Sequence, residues 1–204
     1  MLNNRDQVFR TVPDFDGEFM KNSQDFVLDI LIYANQLKRT ARTGWIQRGI
    51  PAAENVADHS YGVSFTTLIL AKRISEDIDL EKALIMALLH DLPEGLTSDI
   101  PAPAWRFLPA GSKAKSERKA MVTILDSDRE ASDLMAIWEE YQEEGSPEAR
   151  LVHDADKIDL YLQALIYEEQ TNNQQLQEFW LNQVEFHYPA AQVIYDSLKT
   201  RRGR

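Results

Sequence analysis

An all-α fold is predicted for this chain of 204 residues by three observations. Apolar residues recur every three or four positions from residue 23 onward. No apolar/polar alternation of period two survives for six residues, so strand signals are nearly absent. Capping residues and prolines stand where helices would have to begin or end. One domain is expected over residues 23–204. It follows a short, polar N-terminal arm over 1–22, which carries Pro13 and Gly17.

Taken in order, Ser23 can cap a first helix whose apolar face is Val27, Ile30, Leu31, Ala34 and Leu37. A Gly/Pro-punctuated loop is expected over 42–54, then a helix over 55–76 carrying Val56, Val63, Leu68, Leu70, Ala71 and Ile74. Asp79 caps a strongly apolar segment, Ala83 to Leu92, that ends at Pro93. Three prolines between Asp99 and Pro109 make 96–111 a loop with the composition of a lid. Helical patterns follow over 112–126, 128–144, 147–171, 174–187 and 189–201, the third opening on Ser146-Pro147, an N-cap with proline at the first helical position.

Composition narrows the function. No run of eighteen apolar residues is present, which excludes a transmembrane helix. The first ten residues lack a basic-then-apolar layout, so a cytoplasmic protein is expected. Zero cysteines exclude disulfides and thiolate metal sites. Twenty-two Lys and Arg against thirty-three Asp and Glu give a net charge of −11, a surface that repels nucleic acid polymers and anionic lipid. From Gln36 to Ala53, however, Lys38, Arg39, Arg42 and Arg48 occur without a single acid. That stretch suits a small anionic ligand, or is a solvated loop at a helix end.

Polar residues interrupt apolar stripes at three distant places. His90-Asp91 ends the run Ala83 to Leu89, with Met86 and Ala87 on the face that His90 shares. His59 lies among Val56 and Val63, and Asp156 within the stripe of Val152, Ala155 and Ile158. A charge in such a setting is costly unless it is paired or binds metal. Each residue alone is compatible with a hydrogen-bonded core position; the combination is harder to explain so. Two imidazoles and two carboxylates suit one divalent ion of the Mn, Co, Fe or Zn class, with positions left for water and substrate. His153-Asp154 is a second His-Asp pair, and His187 reads as a helix-end residue.

His59, then His90-Asp91 thirty-one residues later, then Asp156 sixty-five after that, resembles the HD-domain metal-dependent phosphohydrolases. The stretches RTGWIQRG, ENVADHS, ALLHDLPEGLTSDIPAP and HDADKID resemble more closely the motif blocks of the HD-domain 5′-deoxynucleotidases. The resemblance implies an all-α helical bundle, one divalent metal, a homodimer and hydrolysis of deoxyribonucleoside 5′-monophosphates. It implies His59, His90, Asp91 and Asp156 as metal ligands, Glu94 as the catalytic glutamate, and Asp99 as an aspartate contacting substrate and attacking water. It also implies Trp45 as a tryptophan packing near the sugar, where an indole could exclude a 2′-hydroxyl. At one place the pattern departs: bacterial enzymes of the family carry arginine immediately before that tryptophan, and here the neighbour is Gly44. Arg42 and Arg48 both remain candidates for the phosphate, by bidentate contact with its oxygens.

Without the resemblance, Glu94 can also be read as a first-turn glutamate and Asp99 as a loop cap. Rival substrates are cyclic nucleotides, alarmones and nucleoside triphosphates; four histidines supply a second metal poorly. A non-enzymatic helical module with a structural metal site is the other rival. An unligated carboxylate such as Glu94 has no use there. The apolar and aromatic residues Trp138, Tyr141, Phe179, Trp180, Phe186 and Tyr195 exceed what an active site needs and read as core.

Overall fold

The computed structural model describes residues 23–125 and 131–203, so the expected arm over 1–22 lies outside the described residues. The described residues form helices joined by turns, with one isolated bridge, Ala41 to Asn55, in place of any strand. Helix α1 spans Ser23–Gln36 and runs into a single 3₁₀ turn, Leu37–Arg39. The expected loop after it contains a short helix, α2 (Thr43–Gln47). Helix α3 (Val56–Ala71) begins on a capping box in which the Asn55 side chain accepts from the Asp58 N–H and Asp58 accepts from the Asn55 N–H. It stops before the expected residue 76, near Lys72.

Asp79 caps α4 (Leu80–Leu89) through the Lys82 N–H, as its position predicts. The expected lid region instead holds two single-turn helices, α5 (Glu94–Thr97) and α6 (Ala102–Trp105). Helices α7 (Ser112–Leu125) and α8 (Ser132–Gln142) follow. Helix α9 (Pro147–Thr171), capped by Ser146, is 25 residues long, roughly 37 Å at 1.5 Å per residue. It ends on Asn172 in the left-handed region at φ 53°. The expected helix over 174–187 is a 3₁₀ segment only as far as Leu181, and α10 (Pro189–Arg202) closes the chain.

Helices α3, α4 and α9 pack together as the centre of the molecule, burying Val63, Leu70, Met86, Ala87, Val152, Ala155 and Ile158. Each large apolar side chain so buried stabilises by about 1.5–3 kcal/mol. On one flank α7 and α8 enclose Leu92, Met121, Ile124, Leu125 and Trp138. On the other, α10 packs on α9 through Ala191 and Tyr195. Trp138, Tyr141 and Tyr195 are buried, and Phe179, Trp180 and Phe186 pack against the core, so the aromatic surplus of the last third is core.

The second His-Asp pair is structural. Asp154 is fully buried and accepts from the backbone N–H of His187 and Tyr188 at 3.0 and 2.8 Å, tying α9 to the start of α10. His153 meets the Tyr141 carbonyl at 3.0 Å and stacks on that ring. His187 faces Glu144 at 3.4 Å. The face expected for α1 is only partly right: Leu37 is buried, but Val27 and Leu31 are exposed, beside Leu28 and Ile32. None of the helices is long and apolar enough to cross a membrane, among the described residues.

Candidate metal centre and active site

Three local features bring the polar residues together. The capping box starts α3 at Val56, which turns His59 inward within the first helical turn. Helix α4 ends at Leu89, and the tight turn to Pro93 projects His90 and Asp91 into the same space. The middle of α9 crosses α3 and delivers Asp156. Ligand atoms of His59, His90 and Asp91 lie within 4.8 Å of one another. The two Nε2 atoms are 3.4 Å apart. Asp91 Oδ2 is 3.3 Å from His90 Nε2 and 3.7 Å from that of His59. Asp156 Oδ1 is 3.1 Å from His59 Nε2. His59, His90 and Asp91 are a donor set that fits a divalent ion, and Asp156 approaches it on the His59 side.

The electrostatics are those of a site short of positive charge. Burial and the Arg42 charge oppose a proton on His59, yet hydrogen bonds to Asp156 and Asp159 outweigh them and raise its pKa to about 10. Burial likewise opposes a charged His90, and Asp91 overrides it, so that pKa is also raised. Burial favours neutral Asp91 and Asp156, but the histidines hold both well below the usual carboxylate range, Asp156 at about 2. A cation placed among these groups would take over the stabilising role that protons fill in its absence.

Glu94 behaves oppositely. It opens α5 one turn beyond His90, is 7% exposed, and its Oε2 is buried with no hydrogen-bond partner among the described residues. Burial, then the charges of Asp91 and Asp99, push its pKa up to about 9. Asp99 is held by Thr43, whose N–H donates to Oδ2 at 2.6 Å and whose hydroxyl donates to the Asp99 carbonyl at 2.7 Å. Ser98, just before it, is in the left-handed region at φ 61°, ψ 162°, a strained conformation for a residue with a Cβ. Ser98→Gly should therefore stabilise the protein by about 1 kcal/mol, strain relief less the entropy of glycine. Urea denaturation checks this through the transition midpoint.

The four cations of the basic stretch separate. Lys38 and Arg39 are exposed. Arg42 turns inward, with Nη1 3.4 Å from Asp91 Oδ2 and Nε 3.9 Å from Glu54. Arg48 is engaged by Glu178 and by the Gly44 carbonyl at 2.7 Å, and lies 4.4 Å over the Phe179 ring. A cavity of about 210 Å³ opens between them, lined by Arg42, Trp45, Arg48, Asp99, Pro101 and Phe179 among others. Trp45 is 1% exposed, packs against Tyr167 and Phe179, and donates its Nε1–H to Glu54 at 2.8 Å. It presents the cavity with an edge of a core residue.

Sequence reasoning missed Glu54, Thr43, Phe179 and Asp159. Glu54 meets Trp45 across a turn of nine residues, and Thr43 and Phe179 contribute through packing of segments far apart in sequence, neither of which leaves a helical or strand period. Asp159 did leave a signal: it stands three residues after Asp156, on the same helical face.

Comparison with known proteins places the chain in a family. A model of the HD domain matches residues 34–192. The 5′-deoxynucleotidase HDDC2 of Danio rerio is 37% identical over 186 residues, covering 88% of this chain and 90% of that protein. The 5′-deoxynucleotidase HDDC2 of Homo sapiens is 32% identical over 182 residues, covering 87% and 86%. Among solved structures, a conserved hypothetical protein from Pyrococcus furiosus superposes with a TM-score of 0.72 at 35% identity, covering 85% of this chain and 99% of that one. The chain belongs to the HD-domain metal-dependent phosphohydrolases, within the 5′-deoxynucleotidase family.

Proposed function

We propose that this protein hydrolyses deoxyribonucleoside 5′-monophosphates to deoxynucleoside and phosphate, using one divalent ion held by His59, His90, Asp91 and Asp156. The observation that carries the reading is Glu94, buried beside that ligand cluster with its Oε2 lacking a hydrogen-bond partner among the described residues. A structural metal site has no use for such a group; a proton donor to a poor leaving oxygen must be one. The ion, when bound, neutralises phosphate charge and makes water a stronger nucleophile at neutral pH.

The side chains divide the remaining work. Arg42 binds non-bridging phosphate oxygens, since its guanidinium already reaches Asp91. Arg48, tied to Glu178, forms the outer wall of the cavity with Phe179 and Pro101. Asp99, pinned by Thr43, accepts a hydrogen bond from the attacking water and fixes its line of approach. Water adds to phosphorus as the bond to the 5′ oxygen breaks; Glu94 gives that oxygen its proton, and the proton shed by the water restores Glu94 as deoxynucleoside and hydrogen phosphate leave. Trp45 walls the sugar end, held rigid through Glu54. A homodimer belongs to the same proposal, supported by the exposed apolar side chains of α1.

A phosphate-release panel tests the reading: deoxy- and ribonucleoside monophosphates, a cyclic nucleotide and triphosphates, each with Mn²⁺, Co²⁺, Fe²⁺ and Zn²⁺. Release from the deoxynucleoside monophosphates is expected, dependent on added metal. Metal binding without release from any nucleotide would favour the structural-site alternative.

A further inference from the structure

We propose that Asp159 is a positioning residue for His59, fixing the ring so that Nε2 points at the metal, and that Gly62 is the recess that admits its carboxylate. Asp159 Oδ2 lies 2.8 Å from His59 Nδ1, and the pair is buried between α3 and α9. A neutral imidazole carries one N–H and one lone pair, and the nitrogen facing a carboxylate carries the hydrogen. Nδ1–H therefore donates to Asp159, and when a metal displaces the second proton the lone pair is left on Nε2, on the side of His90 and Asp156. Such outer partners orient a metal-binding histidine and raise its basicity. The inference rests on reading His59 as a metal ligand.

Gly62 supplies independent support. A Cβ built there would sit 2.1 Å from Asp159 Oδ1, 2.7 Å from Cγ and 3.0 Å from Oδ2, so any other side chain displaces the carboxylate. Glycine inside a helix is unfavourable by itself, and α3 carries one at the turn after His59. The registers match: Gly62 follows His59 by three residues on α3, and Asp159 follows Asp156 by three on α9. His90 needs no such partner, because its Nδ1 meets the Ala87 carbonyl at 2.8 Å within its own turn.

The test is zinc affinity by competition with a chromophoric chelator. The proteins compared are the wild type, Asp159→Asn, Asp159→Ala, Gly62→Ala, the Gly62→Ala/Asp159→Ala double variant, and His59→Ala. Asp159→Ala and Gly62→Ala should each weaken zinc binding about 10–100-fold. The double variant should be no weaker than the worse single one, because both act through one carboxylate. Asp159→Asn should lose less, since its amide oxygen still accepts from Nδ1–H. Losing the buried contact should lower the thermal midpoints of the metal-free variants, but excess metal should restore turnover in the folded ones, which a purely structural role does not predict. Wild-type zinc affinity in a folded Asp159→Ala or Gly62→Ala variant, with binding lost in His59→Ala, overturns this inference alone. Undiminished binding in His59→Ala overturns the metal-ligand reading beneath it.

Discussion

Glu94→Gln is expected to lower kcat on deoxynucleoside monophosphates by about 10²–10⁴-fold, the usual contribution of a positioned proton donor, with metal content unchanged. Glutamine keeps the shape of the side chain and its place at the start of α5, but has no proton to give. The wild-type kcat should fall as pH rises through the Glu94 pKa, because the acid must be protonated to act. In the metal-free protein that pKa is raised from the ordinary 4.5 to about 9, by burial first and then by Asp91 and Asp99. A divalent ion beside Asp91 opposes that push, so the basic limb should lie below pH 9 and vanish in Glu94→Gln. Stability carries the matching signature. A raised carboxyl pKa means that the folded state favours the proton, a contribution fully present below pH 4.5 and lost as pH rises toward 9. The metal-free wild type should thus melt at progressively lower temperature over that window, and Glu94→Gln should lack that part of the decline. Metal content, a pH–rate profile and thermal melts check all three.

Removing the metal should be at least as damaging. Chelation, or Asp91→Ala, is expected to cost ~10³-fold or more in phosphate release, because charge neutralisation by the ion contributes several kcal/mol and 1.36 kcal/mol is tenfold. Chelated protein should recover on adding back metal; Asp91→Ala should not. The metal must also displace protons. His59 and His90 both hold theirs more tightly than free histidine in the metal-free protein, His59 with a pKa of about 10. Affinity for zinc should therefore increase from pH 6 to pH 8, with proton release on binding. Calorimetry in buffers of different ionisation enthalpy measures that release; pH-independent affinity would show that the histidines do not bind the ion.

Much of this was readable from local pattern. Asp79 and Ser146 cap the helices they precede, because an N-cap is decided within four residues. His59, His90 and Asp156 stood out as polar groups breaking apolar stripes; His90 does meet His59 with Asp91, and Asp156 reaches His59 from α9. What failed depends on contacts far along the chain. Helices α2, α5 and α6 are single turns in stretches rich in glycine and proline, too short to have a period. The segment after Asn173 has helical composition but leaves α-helical geometry where Leu176 is buried and Phe179 and Trp180 lie against the core. Val27 and Leu31 share the stripe of Ile30 and Ala34 in sequence, yet the packing of α1 against α5 and α7 covers only the latter side. The proposed preference for Arg42 over Arg48 rests on their contacts with Asp91 and Glu178, 49 and 130 residues away in sequence.

An anomalous-difference map from crystals grown with Mn²⁺ tests the account most directly. It should contain one strong peak per chain, within coordination distance of His59 Nε2, His90 Nε2 and carboxylate oxygens of Asp91 and Asp156, with Glu94 uncoordinated nearby. No peak there, or a peak bound by Glu94 in place of the histidines, would contradict it.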